Sequence, residues 1–196
     1  MRPAISLLLA ALLAPSIAGC DARRRPAPEQ SRDSPGAPTA PDDPDAGTGR
    51  LDRSHAGSPA PRIAFEDGDG TPVTIADFAG RPVLLNLWAT WCAPCVAEMP
   101  TLDALAGRVG DRIAVLTVSE DMDGRAKVDA FFRKYGFANL EAFLDPELAL
   151  MPALEIGTLP TTILYDARGR EVWRMMGMEE WNGPRAATLI AEAEGK

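Results

Sequence analysis

From residue 62 onward the chain reads as an α/β domain, and three observations carry that reading. Residues 83–88 and 113–118 are nearly continuous apolar runs, the pattern of strands covered on both faces. Apolar side chains between the two runs return at helical spacing. Short apolar runs and amphipathic stretches then alternate to the C-terminus, as layered α/β architecture requires.

The elements follow in order. The strand at 83–88 leads into a helix whose apolar face carries Cys95, Val96, Met99, Leu102 and Leu105. Pro100 lies inside that stretch and is expected to bend or interrupt the helix, because proline has no amide to donate. After the strand at 113–118, Val128, Phe131, Phe132 and Tyr135 fall on one helical face, and Gly136 is placed to end that helix. A short strand at 142–144, a short helix at 147–154 and a strand at 161–165 come next. Residues 167–170 turn the last of these into a hairpin with 171–175. A final helix is expected over 184–193, with Pro184 in the first turn, where proline is tolerated.

The N-terminal part is different. Residues 4–14 are almost wholly apolar and follow Arg2, but the run is about a dozen residues where a membrane span needs about 20. It reads as the core of an export signal, residues 1–19, ending at Ile17-Ala18-Gly19-Cys20. Residues 21–61 hold eight prolines, no aromatic residue and Leu51 as their one large aliphatic. They are expected to form a disordered tether with an extended reach on the order of 100 Å. His55, the sole histidine, falls in it. The remaining 62–196 should form one domain. From Pro61 on there are 13 Lys and Arg against 21 Asp and Glu, which argues against a nucleic-acid partner.

Chemistry concentrates in Trp91-Cys92-Ala93-Pro94-Cys95. A zinc site needs about four ligands, and the domain from 62 offers two cysteines and no histidine. A static disulfide across so short a loop would stabilise little. The apolar strand feeding this run puts Cys92 at a helix N-terminus, where amide donors and the helix dipole favour a thiolate. Pro94 suits the first turn, and Cys95 lies one turn on. Cys92 is therefore expected to be the attacking nucleophile and Cys95 the resolving thiol of a redox-active pair. That pair is the whole of the redox equipment expected; no separate cofactor is.

The run 86–95, Asn-Leu-Trp-Ala-Thr-Trp-Cys-Ala-Pro-Cys, continued by Glu98-Met99-Pro100, resembles the TlpA and ResA branch of the thioredoxin superfamily. Gly177-Met178-Glu179-Glu180-Trp181 resembles its TlpA side most. The likeness implies a thioredoxin fold: a central mixed sheet flanked by helices, with a β/α insertion at about 120–145, between the second core strand and the second core helix. It implies that Pro160, in Gly157-Thr158-Leu159-Pro160-Thr161-Thr162, is cis and faces the dithiol, the alternative being a trans proline opening an edge strand. Trp91, Pro94, Leu159 and Pro160 would then contact the substrate. Glu120, in Val118-Ser119-Glu120, would manage the proton of Cys95; the alternative is a solvated acid among Glu120, Asp121 and Asp123. Glu98 also fits the family pattern, without an assigned role.

Cys20 stands where bacterial lipoproteins carry their lipidated cysteine, so a lipid would hold the protein to a membrane. An ordinary cleaved signal and an uncleaved anchor are the alternatives, and Arg23, Arg24 and Arg25 work against easy export. Asp21 implies retention at the periplasmic side of the inner membrane. The resemblance also implies a monomeric reductase of envelope-protein disulfides, in maturation of cytochrome c or of a cytochrome oxidase copper site, recharged by a membrane donor of the DsbD or CcdA type. A DsbA-like oxidase is the first alternative; Ala93-Pro94 supplies no charge between the cysteines to stabilise the thiolate strongly. A Sco-like copper chaperone wants CxxxC and a histidine, and a peroxiredoxin wants Thr where Ala89 stands.

Overall fold

A computed structural model describes residues 49–194. Cys20, the expected signal and most of the expected tether lie outside the described residues. No helix among the described residues is long and apolar enough to cross a membrane.

One mixed sheet organises the domain. Its strands are β1 (Arg50–Asp52), β2 (Phe65–Glu66), β3 (Pro72–Val73), β4 (Val83–Trp88), β5 (Ala114–Ser119), β6 (Ala142–Leu144), β7 (Thr161–Tyr165) and β8 (Glu171–Met176), in the spatial order β1-β8-β7-β4-β5-β6-β2-β3. The helices are α1 (Ala93–Val109), α2 (Arg125–Tyr135), α3 (Leu150–Ala153) and α4 (Pro184–Ala191). β4 is central, parallel to β5 from Val83↔Ala114 to Trp88↔Ser119 and antiparallel to β7. All six of its residues are buried. Leu84 and Trp88 join a cluster with Met99, Leu102, Trp173, Trp181 and Leu189; Val83, Leu85 and Leu87 join one with Phe65, Leu116, Phe143 and Ile163. Cover on both faces explains why the run is apolar at every position but Asn86.

β6 pairs in parallel with β5, and α2 with β6 forms the inserted unit. Trp88 packs on Phe131 and Phe132 of α2, ring centroids 4.9 and 6.0 Å away. Gly136 ends α2 at φ 66°, a left-handed conformation that glycine adopts without a Cβ clash. The β7–β8 turn is closed by the Asp166 amide donating to the Arg170 carbonyl at 2.8 Å.

Four expectations need correction. The tether does not run unstructured to residue 61: β1 pairs antiparallel with β8, Leu51 packs on the core, and Pro59 bridges to Arg170. A single aliphatic plus an open sheet edge suffices there, because the edge amides of β8 supply the partners. His55 therefore sits in ordered chain, half-buried. Pro100 does not interrupt α1, which continues across it. Its ring lies on the exposed side and it forfeits one amide donor, while the Thr101 hydroxyl donates to the Glu98 carbonyl at 2.8 Å. The helix expected at 147–154 shrinks to α3, since Leu148 takes φ 52° and the Leu150 amide donates to Asp145 Oδ2 at 2.7 Å to start the turn. The final helix ends at Ala191, with a tight 3₁₀ turn at Glu192–Glu194. β1, the small β2–β3 ladder and the turn Ile75–Phe78 were not expected from sequence.

Candidate active site

β4 ends at Trp88, and a tight turn carries the chain into α1. The Cys92 amide donates to the Ala89 carbonyl at 3.1 Å, and Cys92 becomes the residue that caps α1. Its Sγ accepts the Cys95 amide at 3.3 Å, and Pro94 occupies the first turn. A sulfur so placed meets free amide donors and the positive end of a 17-residue helix. The two cysteines form a disulfide, with Cα atoms 5.2 Å apart. Cys95 is wholly buried and Cys92 is 6% exposed, so the outer sulfur is the one that faces the surface.

A groove of about 590 Å³ opens beside that sulfur, lined among others by Trp91, Pro94, Glu120, Met122, Met151 and Leu159. Trp91 and Met122 stand out into solvent, at 62% and 83% exposed. The Leu159–Pro160 bond is cis, and Pro160 is buried where β7 begins.

Two buried carboxyls lie in this part of the domain, and one of them, Glu120, shares the groove with Cys92. Glu120 follows β5, and its amide donates to the Trp88 carbonyl at 2.8 Å, which ties it to the end of the strand that delivers Cys92. It is 4% exposed, and neither carboxyl oxygen has a hydrogen-bond partner among the described residues. Burial, and then the charge of Asp145, push its pKa up to about 8. Glu98, on the inner face of α1, is 2% exposed. It accepts from Asn86 Nδ2 at 2.7 Å, the Glu179 amide at 3.1 Å and Trp181 Nε1 at 3.4 Å. Burial outweighs these donors and, with the charge of Glu179, pushes Glu98 up to about 7.

The structure thus gathers Trp91, Cys92, Pro94, Glu120 and Leu159 around one groove, with Cys95 joined to Cys92 in the disulfide and Pro160 next in the chain to the groove-lining Leu159. Sequence reasoning missed Met122, Leu148, Met151 and Thr158, which wall the groove. It also missed that Asp121 is buried. Met122 follows the acidic run directly, and only the turn of the chain after β5 reveals which of those residues face inward.

Residues 55–190 match the Redoxin family model. The chain belongs to the Redoxin family. Among curated proteins it is 33% identical over 119 residues to thiol-disulfide oxidoreductase ResA of Bacillus subtilis (strain 168), covering 59% of this chain. It is 32% identical over 117 residues to ResA of Geobacillus thermodenitrificans (strain NG80-2), covering 58%. These matches span 64% and 65% of the two relatives, a little under two thirds of their length. The pneumococcal exposed lipoprotein thioredoxin Etrx1 of Streptococcus pneumoniae superposes with a TM-score of 0.58 at 27% identity, over 68% of this chain and 98% of that one. A DsbF homologue of Corynebacterium diphtheriae, 24% identical, gives 0.60 over 78% and 95% and speaks to the fold alone. The thioredoxin fold with its inserted helix and strand, and the resemblance to the ResA branch, both hold for this Redoxin chain.

Proposed function

We propose that this Redoxin-family chain is an extracytoplasmic thiol–disulfide oxidoreductase that works as a reductant of protein disulfides. The observation that carries the reading is the placement of Cys92, capping α1 and lining the groove, with Cys95 in disulfide contact behind it. In the reduced protein the Cys92 thiolate attacks one sulfur of a partner disulfide. A Cys92–partner disulfide forms, the partner's S–S bond breaks, and the departing thiolate takes a proton. Cys95 then loses its proton and attacks Cys92 Sγ. The Cys92–Cys95 disulfide forms and the second partner thiolate leaves, so two electrons have passed from the dithiol to the partner.

Glu120 is the base for the second step. A buried carboxyl poised near neutrality accepts a proton from a buried thiol far better than one titrating near 4.5. Trp91, Pro94 and Leu159 bind the partner's polypeptide beside Cys92, with Pro160 supporting that surface. The chain needs no further cofactor in this scheme. Its substrates are disulfides in envelope proteins, of cytochrome c or of a cytochrome oxidase copper site, and a membrane donor of the DsbD or CcdA type returns the electrons. Cys20 carries a lipid that holds a monomeric domain at the periplasmic side of the inner membrane. The likeness to ResA proteins and to an exposed lipoprotein thioredoxin supports that location.

The test is Cys95→Ser in the cell envelope. Cys92 still attacks, nothing releases it, and mixed disulfides with partner proteins accumulate. A variant with an alkylatable Cys92 that captures no protein would contradict substrate-directed exchange.

A further inference from the structure

The turn that presents Cys92 is tied down by a buried acid outside the dithiol. Asp121, two residues beyond the end of β5, is 2% exposed. Its Oδ2 accepts the Thr90 amide at 2.7 Å and the Ser119 hydroxyl at 2.8 Å, and its Oδ1 accepts the Thr90 hydroxyl at 2.6 Å. Ser119 Oγ accepts the Asp121 amide in return, at 3.2 Å, and Lys127 Nζ of α2 stands 3.6 Å from Oδ1. A buried carboxylate is strongly disfavoured unless donors replace its water, and here three donors and a cation do so.

What those bonds hold is the second residue of the Ala89–Cys92 turn. Ala89 is buried, Thr90 is half-buried, and Trp91 turns out to solvent and contributes no packing to the core. Thr90, by both its main chain and its side chain, is thus the point at which this turn is fastened to β5. Loss of that fastening frees the turn to tilt, and with it the angle at which Cys92 caps α1.

We propose that Asp121 is a positioning residue for thiol–disulfide exchange at Cys92: its carboxylate locks Thr90 and so holds Sγ at the N-terminus of α1, facing the groove. This rests on the exchange activity proposed above. A second effect of the same acid has the opposite sign. It holds Thr90, two residues before Cys92, and a negative charge on that turn disfavours the thiolate, so removal of charge alone would raise the reactivity of Cys92. The charged groups about the clamp are Glu120, Asp123 and Lys127, with buried Asp145 beyond Glu120, its amide on the Ser119 carbonyl, and the ion pair with Lys127 tempers that effect. Positioning and charge are therefore separable by substitution. Asp121→Ala removes both. Asp121→Asn keeps an oxygen for the Thr90 amide and the Ser119 hydroxyl, and its NH₂ donates to Thr90 Oγ once that hydroxyl rotates; only the charge is lost.

The experiment uses the full chain, reduced, with glutathione disulfide as oxidant in single-turnover exchange, and iodoacetamide alkylation of Cys92 followed against pH. Asp121→Ala slows exchange about 10-fold or more and moves the alkylation midpoint upward, whereas Asp121→Asn stays within about threefold of wild type. Folded Asp121→Ala with wild-type rate and midpoint overturns the proposal. So does slowing that is equal in Asp121→Asn, or acceleration in both. If Asp121→Ala does not fold, Thr90→Val and Thr90→Ser decide: Val loses the hydroxyl bond and slows exchange, Ser keeps it and does not, and equal rates overturn the proposal. Wild-type protein that fails to exchange at all contradicts the activity itself, a different outcome from a silent Asp121.

Discussion

Glu120 and Cys92 open onto the same groove, one a buried carboxyl without a hydrogen-bond partner among the described residues, the other the more exposed sulfur of the dithiol. Their juxtaposition follows from register. β4 and β5 are parallel with Trp88 opposite Ser119, so the residue after each strand emerges at the same edge of the sheet. One strand delivers the sulfur and its neighbour delivers the acid.

If that acid takes the proton of Cys95, Glu120→Gln keeps its shape and removes the base. The variant is expected to fold normally and to release a bound partner roughly 10- to 10⁴-fold more slowly, with Cys95 titrating differently. Thiol titration and single-turnover release measured against pH check this. Wild-type curves for both would leave Glu120 a buried acid with no part in the proton transfer.

The same two carboxyls make stability depend on pH with a definite sign. Unfolded, Glu98 and Glu120 titrate near 4.5; folded, burial raises them to about 7 and about 8. Between those values the folded state binds more protons than the unfolded one, so stability falls as pH rises. Denaturant unfolding of the oxidised protein is expected to show that decline from about pH 5 to 8, and a shallower one in Glu120→Gln. A flat profile in wild type would mean that these groups titrate normally.

The core strands, α1, α2 and the dithiol were legible in the sequence because long apolar runs, helical spacing and a CxxC flanked by Trp91 and Pro94 each have one dominant reading. β1, β2 and β3 were not. They hold three, two and two residues, too few for any period to show, and they exist because a sheet edge offers hydrogen-bond partners from elsewhere in the chain. Leu148 and Asp145 shortened α3 for a comparable reason, a local backbone turn fixed by one side chain. Asp121 and Asp123 look alike in sequence, yet the former is buried on Thr90 and the latter faces solvent. Composition could not separate them.

The ordered N-terminal edge has its own consequence. Arg53 pairs with Glu192 at 2.6 and 2.8 Å, the Gly49 amide donates to the Met178 carbonyl, and Leu51 covers part of the core. A chain beginning at residue 62 is expected to be less stable than one beginning at residue 49 by about 1 to 3 kcal/mol, read from denaturant midpoints at equal slope. Equal midpoints would return residues 49–61 to the role of a linker.

Whether Cys92 and Cys95 form a reducing dithiol is decided by the reduction potential of the pair. Ala93-Pro94 places no charge between the sulfurs, so the thiolate gains its stabilisation from the α1 N-terminus alone, and a modestly stabilised thiolate gives a reducing pair. Equilibration of the full chain with glutathione redox buffers is expected to give a potential near that of thioredoxin, about −270 mV. A value near that of DsbA, about −120 mV, would make the protein an oxidant and rule out a reducing dithiol.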